Sequence, residues 1–227
     1  MTQNVASGSA RAPVAPAGAA AGRTRALLVC GAVAGPLFAV VALAQVPTRQ
    51  GFDLRRHAIS MLALGDLGWI QTANFELTGL LAVAFAAGIW RALHPGRAGT
   101  WGPLLIGAYG VGIIGSGIFQ TDPAQGFPPG APEGIPSFST HAILHNAAFN
   151  VAFTGLVAAC FVFTRRFAGL DLRGWAGYCA ATGLAAPVLI GIALSGLAPA
   201  GVMLALLVVV TSAWIGVIAL RLLSEQA

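Results

Sequence analysis

Six stretches of this chain stay apolar for about twenty residues each, the length a helix rising about 1.5 Å per residue needs to cross about 30 Å of hydrocarbon. The windows fall near 26–46, 69–92, 101–120, 139–164, 174–197 and 201–222, and nearly every ionisable residue sits at one end of one. In lipid a spanning segment must satisfy its own backbone, and continuous apolar runs of this length do so as helices. The expected fold is therefore all-α, a six-helix transmembrane bundle. With 57% apolar residues and only 8% charged, the chain has too little charge to solvate a water-soluble surface.

The charge pattern assigns the sides. All twelve basic residues are arginine, and the net charge of +5 is spread over short connections instead of forming the single patch that a nucleic acid requires. Nucleic acid is therefore excluded as a partner, and membrane lipid is the expected one. Arg11, Arg23 and Arg25 precede the first span, and Arg91 and Arg97 separate the second and third. Arg165, Arg166 and Arg173 separate the fourth and fifth, and Arg221 lies near the end. The positive-inside rule makes these segments, and so both termini, cytoplasmic, with the protein multi-pass in the cytoplasmic membrane. The exported connections are then 47–68, 121–138 and 198–200. The first carries Arg49, Arg55 and Arg56, an exported cluster that asks for a reason.

Residues 1–22 are rich in Ala, Gly, Ser and Pro, have little to bury, and are expected to be a disordered tail ahead of a transmembrane domain over 23–227. Ala42-Leu43-Ala44 resembles a signal-peptidase site, but the preceding apolar run is long for a signal segment and an even number of spans suits arginines at both ends. Cys30, Cys160 and Cys179 lie within spans, and their odd number fits packing residues better than a disulfide framework. Small residues in register, Gly31 with Gly35 and Ala108 with Gly112 and Ser116, mark helix contacts, and the glycine-dense third helix is expected to be central. Pro36 and Pro187 are expected to kink their helices.

Candidate chemistry lies where polar groups enter the hydrocarbon, because a charge at mid-helix costs about 2.5–3.5 kcal/mol on insertion scales. Glu76 is seven residues past Trp69, and His145 is at a matching depth in the fourth span. His141 and His145 are one turn apart on one face, a spacing suited to a shared metal ion; Asn146 and Asn150 repeat the spacing on another face. Asp122 ends the third span, and 47–68 adds His57, Ser60 and Asp66. One reading makes His141, His145, Asp122 and His57 ligands of a zinc ion, with Glu76 or Asp66 as catalytic base against a lipid ester or amide. The plainer reading makes the polar groups interhelical hydrogen bonds of about 1 kcal/mol each. Two histidines one turn apart cannot ligate opposite faces of a haem, so haem is disfavoured. The exported 47–68 segment, with Leu54, Ile59, Met61, Leu62 and Leu64 among its charges, is expected to be an interfacial helix. Five prolines in 121–138 suggest a stiff lid, and Arg55, Arg56 and Ser60 are candidate ligand-binding residues for a phosphate or carboxylate.

The string from His57 through Ser60, Gly65-Asp66 and Gly68-Trp69-Ile70, the glycine-rich helix ending Gly117-Ile-Phe-Gln-Thr-Asp122-Pro123, and Thr140-His141 with His145 below resemble the bacterial membrane family called domain of unknown function 998, over about residues 26–222. That family usually has a Phe-Pro-x-Asp turn where this chain reads Phe119-Gln-Thr-Asp122, with the acid kept. The resemblance implies a six-helix membrane protein and assigns no activity. More loosely, the histidine pair is similar to the alkaline ceramidase and adiponectin-receptor superfamily, whose embedded Ser, Asp and three His surround zinc. That superfamily has seven helices where six are expected here, so that likeness is one of chemistry only. Two functions compete: a binding or transport protein for a small molecule or lipid, with a polar His/Asp/Glu pocket in the extracytoplasmic half, and a metal-dependent lipid hydrolase. No nucleotide loop or nucleophile elbow is found.

Overall fold

The computed structural model describes residues 17–134 and 138–226. Six long helices make up most of it: α1 (Ala17–Gln45), α2 (Gly68–Leu93), α3 (Trp101–Ile118), α4 (Thr140–Ala168), α5 (Arg173–Ser195) and α6 (Ala200–Ser224). Each is long and apolar enough to cross a membrane. Short connections make chain neighbours antiparallel, and each helix packs on the next until α6 closes the ring against α1. An even number of spans returns the chain to its starting side, where the Arg25 guanidinium donates to the Gln226 carbonyl at 3.4 Å.

α1 begins earlier than hydropathy indicates. Ala17–Gly22 is mostly alanine, the best helix former, and continues the helix out of the apolar window. Six residues of the expected tail are thus helical, and residues 1–16 lie outside the described residues. Pro36 and Pro187 both sit inside continuous helices.

Small residues set the helix spacing. A Cβ at Gly112 would lie 2.6 Å from the Ala148 carbonyl oxygen, so only glycine lets α3 come this close to α4. Gly35 does the same for α1 against the Ser212 backbone of α6. α3 is one member of the ring, held between α2 and α4, and not a central helix. The interior is filled by Phe85, Phe163, Phe167 and Trp214, with Cys160 and Cys179 as free thiols; the Trp214 indole N–H donates to Cys179 Sγ at 3.4 Å. At the end bearing both termini, Arg166 pairs with Glu225 at 2.8 Å, tying α4 to α6.

The other end carries a cap. Instead of an interfacial helix, 47–68 forms two short 3-10 turns, Val46–Thr48 and Ile59–Ala63, joined by irregular chain. Ile59, Met61, Leu62 and Leu64 are buried, two of them packing toward α1 and α6 and two against Ala124 and Phe127 of the 121–134 loop. The apolar residues that suggested a lipid-facing stripe are satisfied by protein. Pro136, one of the five loop prolines, lies outside the described residues.

Candidate functional site

Beneath the cap the ring encloses a cavity of about 60 Å³. Ala58, Ile59 and Ser60 roof it, and α1, α2, α3, α4 and α6 wall it. Among the described residues no α5 side chain lines it, and no charged side chain does. Most of the wall is aromatic or aliphatic, including Phe38, Phe75, Phe149 and Phe153. The polar exceptions are Ser60, Tyr109, Ser116, His145, Thr211 and Ser212.

Their hydrogen bonds decide what they can offer a ligand. Ser116 and Thr211 donate to carbonyls of their own helices, at 3.0 and 2.7 Å. His145, 6% exposed, directs Nδ1 at the Ser116 and Phe119 carbonyls, 3.0 and 2.8 Å away. Two acceptors at Nδ1 assign the proton to that nitrogen, leaving Nε2 an acceptor with no protein partner among the described residues. The hydroxyls of Ser60, Tyr109 and Ser212 likewise have none. The cavity is therefore apolar, with neutral hydrogen-bonding groups on several sides.

The residues singled out in the sequence are not gathered around this cavity. Of the expected set only His145 and Ser60 line it. Glu76 and His145 each meet the end of α3 separately: the Glu76 carboxylate lies over Gly117, and the imidazole is held by the Ser116 and Phe119 carbonyls. No hydrogen bond or ion pair joins Glu76 to a described residue. His141 is exposed, with its ring edge-on to Phe119 at 5.8 Å. Asn146 and Asn150 donate back to the carbonyls of Ala142 and Asn146, one turn behind each, and so make no bridge between helices.

His57 is 1% exposed, and both ring nitrogens are used. Nδ1 accepts the Asp53 N–H at 2.9 Å, and Nε2 donates to the Gln125 carbonyl at 3.0 Å. It thereby joins the two cap loops, between Phe52 and Phe127, and has no lone pair for a metal. Asp122 accepts from the Ser139 hydroxyl and N–H at 2.6 and 2.7 Å, while Ser139 caps α4 through the Ala142 N–H. These bonds from Ser139 hold the Asp122 carboxyl below its ordinary value. Among the described residues no three His, Cys, Asp or Glu side chains come together as a metal group. Arg56 pairs with Glu133 at 3.0 Å on the surface, with Arg55 beside it in the same shallow recess. Asp66 is exposed at the rim of another recess, above Arg49.

Arg49, of the three arginines in 47–68, is bound by protein groups within the cap. Only 8% exposed, its guanidinium donates to the Leu64 carbonyl and to Gln45 Oε1, the latter at 3.4 Å, and lies 5.8 Å from the Phe127 ring centroid. Burial pulls its pKa below the ordinary arginine value, and the Asp66 carboxylate opposes that shift. From Arg49 a polar row runs into the bundle. Gln45 donates to Gln71 Oε1 at 2.8 Å, and Asn74 donates to the Phe38 carbonyl at 3.1 Å. Gln71 Nε2, Asn74 Oδ1 and Thr78 Oγ are buried without protein partners. The signal was available: Gln71, Asn74 and Thr78 recur at i, i+3 and i+7 within an apolar run, one face of α2.

A ring of six apolar helices with a folded cap at one end defines a multi-pass α-helical membrane protein. The chain belongs to the family described as protein of unknown function (DUF998), whose model matches residues 32–221, from the middle of α1 to the last turn of α6. Comparisons with curated proteins and with solved structures return no match.

Proposed function

We propose that this protein is a cytoplasmic-membrane binding protein, its capped end exported, that holds a small neutral molecule with an apolar body and a hydroxyl, carbonyl or amide head. The observation that carries this reading is the unpartnered set of His145 Nε2 and the Ser60, Tyr109 and Ser212 hydroxyls around an otherwise apolar cavity. These groups face the cavity, where a ligand exchanges their hydrogen bonds to water for bonds of its own, each worth about 0.5–1.5 kcal/mol net. A cavity of this size holds about four water molecules, or a short length of unbranched chain with its polar end, at about 10–15 Å³ each. The absence of charge in the lining favours a neutral ligand over a phosphate or carboxylate. Membrane lipids and other lipid-phase alcohols or amides have this chemistry.

The test uses a diazirine-bearing long-chain alcohol photolysed with the detergent-purified protein and mapped by peptide mass spectrometry. Label on the Ala58–Ser60 roof and on the cavity faces of α4 and α6, lowered severalfold when Val208 of the α6 wall is enlarged (Val208→Trp), supports the reading. Equal label on the outward-facing Leu80 and Val111, unchanged by Val208→Trp, refutes it.

A further inference from the structure

At the opposite end of the bundle, a recess of about 520 Å³ lies between the α2–α3 connection and the last turns of α4. Arg97, Arg165 and Arg166 line it, with Thr100, Trp101 and Val162. We propose that this recess binds the headgroup of an anionic phospholipid from the adjacent leaflet.

The arginines differ in how they are committed. Arg97 donates from one terminal nitrogen to the Gly169 carbonyl, which holds the α2–α3 connection against the end of α4. Arg166 donates to the Arg97 carbonyl at 3.0 Å and to Glu225 at 2.8 Å, so its position is fixed from two sides. Arg165 is exposed and has neither a hydrogen-bond nor an ion-pair partner among the described residues. No carboxylate lines the recess, and only Arg166 of the three has its charge offset. Two positive charges thus remain on one concave surface, where a phosphodiester can take charge-assisted bonds from Arg165 and from the free nitrogens of Arg97.

The apolar neighbours select a lipid over a free anion. Trp101, 65% exposed, starts α3 at the level where indoles sit among headgroups. Val162 adds an aliphatic wall beside the Trp101 indole, an apolar surface that an acyl chain can follow. Arg173, also at this end, does not line the recess. This site is independent of the central cavity.

The experiment measures phosphatidylglycerol retained by the detergent-purified full chain, by native mass spectrometry, with phosphatidylcholine and inorganic phosphate as comparisons. Arg165→Gln removes a side chain with no structural bond and should lower phosphatidylglycerol retention about tenfold. Arg165→Lys should recover part of it, and Arg173→Gln should leave it unchanged. Thermal stabilisation by phosphatidylglycerol should exceed that by phosphatidylcholine or phosphate. Equal loss in Arg173→Gln, no loss in Arg165→Gln, or equal stabilisation by inorganic phosphate would overturn the proposal.

Discussion

Replacing Arg49 with alanine removes a guanidinium that ties the cap to the end of α1. The Leu64 carbonyl and Gln45 Oε1 each lose a donor, and a buried acceptor left unpaired costs about 1–3 kcal/mol. The lower part of that range applies, because a recess of about 540 Å³ borders Arg49 and water can enter it. The interaction with Phe127 adds about 0.5–1 kcal/mol. The expected loss is therefore about 2–4 kcal/mol, which at about 2–4 °C per kcal/mol for a chain of this size lowers Tm by about 5 °C or more. Intrinsic tryptophan fluorescence of the detergent-purified protein on heating reads it. Arg49→Lys keeps the charge but reaches one acceptor well, so it should fall between the two. Because Leu64 ends the turn that begins with the cavity roof, Arg49→Ala should also raise labelling of Ser60→Cys. A double-mutant cycle with Gln45→Ala isolates the contact, with an expected coupling of about 0.5–3 kcal/mol. A Tm unchanged in Arg49→Ala, or strict additivity with Gln45→Ala, refutes the view that this arginine holds the cap.

The Asp122 pKa is depressed by Ser139, so the contact is fully present above the unfolded carboxylate value and is lost as pH falls through the lower folded value. Asp122→Asn should loosen the 121–134 loop by about 0.5–1.5 kcal/mol and remove this acid dependence, read by limited proteolysis across pH 2–5. Glu76 is the lone carboxyl within a span, so a hydrophobic carbodiimide should modify it, and Glu76→Gln should abolish the label while leaving Tm within about 2 °C of the parent; label elsewhere refutes this placement. His145→Ala should lower Tm by several degrees and His141→Ala should not, with zinc below about 0.1 equivalent in the parent by elemental analysis; one equivalent lost on removing the pair would restore the metal reading. Gln50→Cys, exposed on the cap, should react with an impermeant maleimide in intact cells; reaction only after lysis inverts the sidedness.

Hydropathy made the six spans legible because a lipid-exposed helix must be apolar along its length, and the windows differ from the helices mainly at their ends. α1 extends to Ala17 through an alanine-rich start that Arg91 of α2 holds by the Ala20 carbonyl at 3.5 Å, features a hydropathy window does not measure. The cap was misread for a related reason. A segment with Leu54, Ile59 and Leu62 among charges has the same composition whether its apolar side meets lipid or protein, and only the tertiary contacts to Ala42 and Ala205 decide. For the site, residue type was legible and azimuth was not. Glu76 and His145 both meet the last turn of α3, at Gly117 and at the Ser116 carbonyl, yet no hydrogen bond or ion pair joins them among the described residues. Tyr109 and Ser212, which line the cavity, looked like ordinary span residues because nothing local distinguishes an inward hydroxyl from one bonded to its own helix.

The two ends of the bundle spend their polar residues differently, and that difference follows from the ring. A closed ring of apolar helices needs no polar groups to associate laterally, since small residues such as Gly112 and Gly35 already bring the backbones together. At the capped end a connection of some twenty residues must fold back over the bundle, and its irregular backbone needs partners there. His57, Arg49 and Asp122 each supply a bond to a main-chain group in or beside the cap, which is why histidine and carboxylate accumulate there without forming a metal group. At the other end the connections are short, their backbone is largely satisfied by helix termini, and arginines such as Arg165 are left uncommitted. Of the polar residues that look catalytic by type, His57 and Asp122 thus hold the cap in place, and the two proposals rest on groups without protein partners among the described residues: neutral ones under the cap and cationic ones at the opposite boundary.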